Sequence, residues 1–138
     1  MAEANRVFTV EIITPERIFY RGEADFIEFT TADGEIGVYK NHIPLTTVLA
    51  PGIVTIHNGE EVKKAALHAG FVEILGDKVS LLVEIAEWPD EIDVDRAVAA
   101  KERAVERLND KTSTDVDIAR AEFALKKALL RIGAADLK

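Results

Sequence analysis

The stretch VEIAEWPDEIDVDRAVAAKERAVERL (residues 83–108) contains the point where the chain changes from one kind of structure to another. Up to Trp88 it belongs to a short β-rich run, and from Val94 its apolar residues recur at helical spacing. That helical stripe consists of Val94, Ala97, Val98, Ala104, Val105 and Leu108. The sequence therefore predicts a strand-rich domain over residues 1–88 and a helical domain over residues 89–138.

The part before Pro89 is a series of short β-rich runs separated by turn residues. In residues 24–31, Ile27 and Phe29 alternate with Phe26 and Glu28 at the two-residue period of a strand. Asp-Gly at 33–34 and Asn-Gly at 58–59 are turn pairs. Turn signals about every 8–12 residues favour an antiparallel sandwich or barrel. No strand–helix–strand pattern is present, which argues against a parallel nucleotide-binding sheet.

The part after Pro89 predicts two helices. Turn residues 109–113 interrupt the first stripe, and Thr114 is a cap residue that precedes a second helix. The apolar stripe of this second helix consists of Ile118, Ala121, Leu125, Ala128 and Ile132. Gly133 is a plausible end of the second helix. A short loop between two helices makes an antiparallel hairpin, so the expected fold class is α+β. Because the first stripe is dominated by alanine, we expect weak packing and a hairpin able to leave the sandwich or straighten; an ordinary docked hairpin is the alternative.

Composition limits the possible functions. The chain has 138 residues and a net charge of −8, with 16 acids and 7 bases (net −9) in residues 1–91 and 9 acids and 10 bases (net +1) in residues 92–138. Overall acidity argues against nucleic acid as a partner. There is no cysteine, no apolar run of the ~20 residues of a membrane span, and no secretory signal pattern, so we expect a cytoplasmic protein.

IDVDRA (residues 92–97) raises a question, because an arginine is unusual in the positively polarised first turn of a helix. In an antiparallel hairpin, Arg96 lies near Lys127 and Arg131, with Asp93 and Glu87 beside them. Such a cluster suits a ligand that carries phosphate and hydroxyl groups. The alternative is a helix cap with a surface ion-pair network.

Candidate catalytic residues are lacking. No two of the three histidines have metal-ligand spacing; His57 and His68 fall in expected strands, and His42 falls in a loop where it is a candidate contact residue. Neither a nucleophile elbow nor a phosphate-binding loop is present. We therefore expect a non-catalytic protein without a metal site.

Four segments together resemble the epsilon subunit of bacterial F-type ATP synthase: TADGEIGVYKNHIPLTTVLAPG, HAGFVEI, IDVDRAVAAKERA and ARAEFALKKALLRI. The resemblance covers essentially the whole chain. It implies a β-sandwich of about ten strands followed by a two-helix hairpin, in a non-catalytic subunit of the central stalk. The sandwich would bind the gamma subunit and rest on the c ring, at the cytoplasmic face of the cell membrane and without inserting into it. The hairpin would either lie folded against the sandwich or extend along gamma toward the alpha and beta subunits, and its extension would inhibit ATP hydrolysis.

The resemblance also implies site residues. Glu35 and His42 would lie at the rotor interface, and the beta subunit would meet Arg103, Arg107, Lys126 and Lys127. No cofactor is required, but some bacterial members bind ATP through an Ile/Leu-Asp-x-x-Arg-Ala motif. The residues of this chain that match the motif are Ile92, Asp93, Arg96 and Ala97. The resemblance adds an acid before the motif, Glu87, and two bases in the second helix, Arg131 and Lys127. Such members have arginine at the position of Lys127. Lysine keeps the positive charge but cannot form the two parallel hydrogen bonds to a phosphate that arginine forms.

Two other classes remain open from the sequence. One is a free-standing nucleotide-binding β-sandwich with the hairpin as a lid, and the other is a small hydrolase. Co-purification with a gamma subunit distinguishes the first class from a rotor subunit. The hydrolase requires a nucleophile or metal set that the sequence does not offer.

Overall fold

The structure is a computed structural model that describes residues 6–137. The chain divides into two compact units, Met1–Glu87 and Trp88–Lys138. The boundary lies one residue before the one expected from the sequence. The elements are β1 (Phe8–Ile13), β2 (Ile18–Ala24), β3 (Phe26–Thr31), β4 (Gly34–Val38), β5 (Leu45–Leu49), β6 (Gly52–Asn58), β7 (Glu61–Ile74), β8 (Lys78–Glu87), a 3-10 turn (Pro89–Glu91), α1 (Val94–Asn109) and α2 (Asp115–Ala135).

The strands form one sheet that folds back on itself. Its hydrogen-bonded order is β2-β1-β8-β7-β5-β3-β4, and β6 pairs with both β3 and β7. All pairs are antiparallel except β1 with β8, which is parallel. This closure confirms the predicted β-sandwich. The described residues contain eight strands where about ten were expected, and part of the difference is the length of β7, which spans both layers.

The bend in β7 allows it to serve both layers. Its first half pairs with β6, and its second half pairs with β5. Between the halves, Ala69 has a positive φ of 23°, a conformation that disfavours side chains. At the next residue, Gly70, an added Cβ would lie 2.1 Å from the Leu82 carbonyl oxygen. The backbones of β7 and β8 therefore approach each other at a distance that only glycine permits.

The core of the sandwich follows the period of the strands. In β3, Ile27 and Phe29 are 0% and 2% exposed, whereas Glu28 between them is exposed. This confirms the alternation predicted for residues 24–31. Each such buried side chain contributes about 1.5–3 kcal/mol relative to an exposed one. Several strands contribute side chains to the core. Its fully buried residues include Val10 and Ile12 of β1, Val54 of β6, Val72 and Ile74 of β7, and Leu81 of β8.

The helical unit is packed through alanines. Ala97 and Ala104 are the buried residues of α1, and four alanines, among them Ala121 and Ala128, are those of α2. The seven-residue spacing is the same in both helices, so an antiparallel hairpin brings Ala97 level with Ala128 and Ala104 level with Ala121. The valines of the predicted stripe (Val94, Val98 and Val105) remain 37–40% exposed. They lie beside the seam because small residues occupy its centre.

The ends of the hairpin helices are capped as expected, with one exception. The Thr114 side chain accepts the backbone N–H of Asp117 at 3.2 Å, as a helix N-cap does. In the connecting turn, hydrogen bonds from the Thr112 backbone N–H and hydroxyl hold the pKa of Asp110 below its ordinary value. The prediction that Gly133 ends α2 is wrong, because the helix continues through it to Ala135.

Candidate functional site

The IDVDRA segment contains the N-cap of α1. Asp93 is the N-cap, and its carboxylate accepts the backbone N–H of Arg96 at 3.1 Å. Ile92, just before it, is 8% exposed and anchors the approach to the helix. The acid therefore has a structural role whether or not it also contacts a ligand.

We expect Asp93→Ala to lower the free energy of unfolding of the hairpin by about 1 kcal/mol, since the cap acceptor is lost. Asp93→Asn retains a capping oxygen and should change the free energy by a few tenths of a kcal/mol only. Urea unfolding followed by far-UV circular dichroism measures both. Equal losses in the two variants would show that charge, and not the cap, stabilises this end of the helix.

Arg96 presents its guanidinium to solvent. The residue is exposed, and within residues 6–137 no ion pair joins it to an acid. Its neighbour Asp95 is also exposed in the first turn. An unpaired arginine beside the N–H groups of a helix start is suited to an anion.

The second helix brings two bases to the same end of the hairpin. Lys127 and Arg131 flank the buried Ala128 on α2, are four residues apart, and are both partly buried. The Lys127 ammonium lies 5.5 Å from the centroid of the Phe123 ring, a cation–π contact. Because Ala128 lies level with Ala97, Lys127 and Arg131 belong to the same end of the hairpin as Arg96. Of the predicted hairpin residues, Ala97 is 4% exposed and packs in the seam.

Glu87 belongs to the other unit. It is the last residue of β8, and its Oε1 lies 3.0 Å from Nε2 of His68. The sequence offered no reason to pair these two residues, since they are 19 positions apart. The carboxylate predicted to contact a nucleotide is thus bonded to a buried histidine.

Glu35 and His42 flank one edge of the sheet. Strand β4 pairs only with β3 among the described strands, and Glu35 is its second residue, exposed and opposite Thr30. His42 follows the end of β4, and its Nδ1 lies 2.6 Å from the Ile43 carbonyl oxygen, so Nδ1–H donates. The two side chains are at opposite ends of an exposed edge strand and do not form one compact site.

The bases predicted to meet a beta subunit are on the surface of the hairpin. Arg103 and Arg107 are exposed, one turn apart on α1, and Lys126 is exposed on α2. Arg103 and Arg107 border a shallow depression together with Glu106 and Asp110. The depression therefore has mixed charge.

An apolar row on the outer face of the sandwich was missed by the sequence analysis. It crosses four strands through direct cross-strand neighbours: Val48 opposite Phe71, Phe71 opposite Leu82, and Leu82 opposite Ile13. Val48 is 60% and Phe71 46% exposed, and the other two are partly buried. Runs such as Leu81-Leu82-Val83 give the signal in sequence, because consecutive apolar residues in a strand make both of its faces apolar. We call these four residues the apolar row.

A cleft of about 580 Å³ at one end of the sandwich is lined by aromatic and titratable residues. The rings of Phe26 and Tyr39 stack there at 4.4 Å. His57 Nε2 lies 3.2 Å from Glu28 Oε1, and Asp25 accepts a backbone N–H of the β6–β7 turn at 2.8 Å. These acids are engaged in structural contacts. In the described part of the chain, no group of three or more His, Asp or Glu residues is arranged to hold a metal ion.

The fold and its sites define a class of protein: a β-sandwich with an apolar outer row, joined to an alanine-packed hairpin whose charged residues are mostly exposed. Comparison with known proteins identifies the family. The pattern of the ATP synthase delta/epsilon chain β-sandwich domain matches residues 7–89, and that of the long α-helix domain of the same chain matches residues 90–136. The chain belongs to the ATP synthase delta/epsilon chain family.

Individual relatives agree with this assignment. The ATP synthase epsilon chain of Caldanaerobacter subterraneus is 47% identical over 93% of each chain. That of Desulforamulus reducens is 43% identical over 99% of this chain and 100% of its own. The epsilon chain is a non-catalytic subunit of the central stalk of F-type ATP synthase, as the resemblance implied. Family membership also sets aside the free-standing nucleotide sensor and the hydrolase.

Solved structures share the fold. A chain of the Euglena gracilis mitochondrial ATP synthase, in a structure of its OSCP, F1 and c-ring parts, superposes with a TM-score of 0.79 at 21% identity, over 95% of this chain and 81% of its own. A chain of the Tetrahymena thermophila mitochondrial ATP synthase central stalk and c ring gives 0.61 at 17% identity, over 93% and 96%. Among the described residues, neither helix has the length and apolarity that crossing a membrane requires.

Proposed function

We propose that the sandwich unit docks on the gamma subunit through the apolar row and thereby couples rotation of the c ring to gamma. The row is the observation that carries this proposal. Four apolar residues aligned across four strands on a water-facing sheet surface are typical of a partner interface. Co-purification of the chain with gamma is the direct test, and removal of the row should abolish it.

We propose further that the free edge at β4 meets the rotor. Glu35 at its start is an exposed carboxylate able to accept from polar groups of the c ring, and His42 beyond its end lies in a loop suited to a contact with gamma or the ring. Contacts of this kind would hold the chain at the cytoplasmic face of the membrane as a peripheral subunit in an ion-translocating complex.

The hairpin is proposed as the inhibitory element. Its seam buries alanines, each of which contributes less than a valine or leucine, so separating or straightening the helices costs little. Exposed Arg103, Arg107 and Lys126, with Lys127, are available to acidic surfaces of the beta subunit when the hairpin extends between alpha and beta. Extension would then inhibit ATP hydrolysis.

ATP is the proposed regulatory ligand of the folded hairpin. Arg96 is exposed beside a helix N-terminus, and Lys127 and Arg131 belong to the same end of the hairpin, which together suit a polyphosphate. Asp93 would add an acceptor for the base or sugar, next to Ile92 and Ala97. Binding would favour the folded state by the difference in affinity between folded and extended forms.

We expect Arg96→Ala to weaken ATP binding about tenfold or more, because one charge-assisted contact to phosphate is worth roughly 1.5–3 kcal/mol. Isothermal titration of the full chain with ATP and Mg²⁺ measures the affinity. Arg120→Ala removes an exposed arginine of α2 outside the site and serves as the control. Unchanged affinity in Arg96→Ala would remove Arg96 from the site, and equal losses in both variants would indicate a nonspecific charge effect.

A further inference from the structure

The turn between β6 and β7 contains the Asn-Gly pair at positions 58 and 59, a sequence with a chemistry of its own. The nitrogen of the peptide bond after an asparagine can attack the carbonyl carbon of its side chain, and glycine as the next residue has no side chain to obstruct the approach. Asn58 is exposed, and its side-chain amide forms no hydrogen bond within residues 6–137. No such contact therefore prevents the side chain from rotating toward the Gly59 nitrogen.

The reaction is a deamidation, which consumes water and releases ammonia. The Gly59 nitrogen loses its proton to solvent and forms a bond to Cγ of Asn58, and the bond from Cγ to the side-chain nitrogen breaks as ammonia leaves. The product is a succinimide ring. Water then opens the ring at either carbonyl, which yields an aspartate or an isoaspartate whose main chain is longer by one methylene group.

Asp25 binds the backbone on both sides of Asn58. Its backbone N–H donates to the His57 carbonyl oxygen at 2.8 Å, and its Oδ2 accepts the backbone N–H of Gly59 at 2.8 Å. Asp25 is the single residue between β2 and β3, so the flanking strands fix its own backbone. The two hydrogen bonds restrain the backbone dihedral angles of Asn58, and we call them the Asp25 clamp.

The clamp opposes ring closure in two ways. The Gly59 nitrogen becomes negatively charged when it loses its proton, and the adjacent Asp25 carboxylate disfavours a second negative charge. The hydrogen bond between the two groups is lost at the same step. In addition, Asn58 is the last residue of β6 and pairs with Glu61, so rotating its backbone toward the ring conformation breaks the end of the strand ladder.

We propose that Asn58 is a deamidation site and that the Asp25 clamp keeps it unreacted in the folded protein. The turn is already acidic, because Glu60 and Glu61 follow Gly59. A new carboxylate at position 58 is repelled by these side chains and by Asp25. An isoaspartate lengthens the main chain and displaces the pairing with Glu61. The modification therefore weakens the β6–β7 hairpin.

The rate of deamidation is measured by incubating the full chain at mildly alkaline pH and mapping its peptides by mass spectrometry, which distinguishes the amide from the acid. We expect Asn58 of the wild-type chain to react at least roughly tenfold faster in urea than in the folded state. Asp25→Ala should raise the rate in the folded chain by roughly tenfold, because a hydrogen bond to a charged acceptor is lost. Asp25→Asn keeps an oxygen that accepts the Gly59 N–H but removes the charge, so its rate should lie between the two.

Glu28→Ala is the matched control. It removes the 3.2 Å contact between Glu28 and His57 but leaves the Gly59 N–H bound to Asp25, so Asn58 should react as in wild type. Equal acceleration in Glu28→Ala and Asp25→Ala would assign the protection to the hairpin as a whole and overturn the role of Asp25.

Two further outcomes would overturn the proposal. One is a folded Asp25→Ala chain that deamidates no faster than wild type, and the other is a wild-type chain whose Asn58 reacts equally fast when folded and in urea. Far-UV circular dichroism verifies that each variant is folded before incubation. If Asp25→Ala does not fold, Asp25→Asn provides the comparison, and hydrogen exchange of the Gly59 amide measures how often the clamp opens in it.

Discussion

Phe71→Glu is expected to abolish co-purification of the chain with the gamma subunit while leaving the sandwich folded. Phe71 lies at the centre of the apolar row between Val48 and Leu82, and it points away from the core because its neighbour Val72 is 0% exposed. Aromatic residues at the centre of an interface contribute 2 kcal/mol or more, and a carboxylate buried there without a partner adds a further cost. The affinity should therefore fall by at least roughly 100-fold.

The control for this variant lies on the same strand. Val62 is 47% exposed, nearly the same fraction as Phe71, but it is in the first half of β7 opposite His57 and outside the apolar row. Val62→Glu should co-purify with gamma as wild type does. Retention of gamma by Phe71→Glu would exclude the apolar row as the docking surface, and loss in both variants would indicate a nonspecific effect of charge on this unit.

The strands and the hairpin were predictable because their patterns are local. Alternation in β3, the turn pairs and the change of period after Pro89 each lie within about ten residues. The bend in β7 was not predicted, because it depends on Gly70 meeting the Leu82 backbone across the sheet. The alanine seam was not predicted for the same reason. Helical spacing predicts the apolar stripe, but which residues of the stripe are buried depends on how closely the two helices approach each other.

The candidate sites divide in the same way. A helix cap was one of the two interpretations of IDVDRA that the sequence left open, and the structure shows that Asp93 accepts the backbone N–H of Arg96. The pairing of His68 with Glu87 and the apolar row both depend on strand register, which sequence patterns leave undetermined. The contacts assigned to Glu35 and to the hairpin bases rest on the family and stay predictions.

Gly70→Ala is expected to destabilise the sandwich by about 3 kcal/mol or more. The added Cβ would lie 2.1 Å from the Leu82 carbonyl oxygen and 2.8 Å from the Val83 Cα, so backbone and not a flexible side chain must move. Movement there would separate β7 from β8 next to Phe71 of the apolar row. Urea unfolding of the full chain, with amide hydrogen exchange of the strands, measures the loss and assigns it to the sandwich.

A glycine-to-alanine substitution in the hairpin should raise the free energy of unfolding, whereas Gly70→Ala lowers it. Gly133 lies inside α2, and an added Cβ there meets no atom within 4 Å. Gly133→Ala should stabilise the helix by about 0.5–1 kcal/mol, because glycine loses more backbone entropy than alanine on folding.

A Gly70→Ala chain as stable as wild type would show that the strands separate at little cost, and the close approach would then not be what fixes the β7 bend. Opposite signs at the two glycines would instead show that the close approach of β7 to β8 requires glycine at position 70, whereas no such steric requirement exists at position 133.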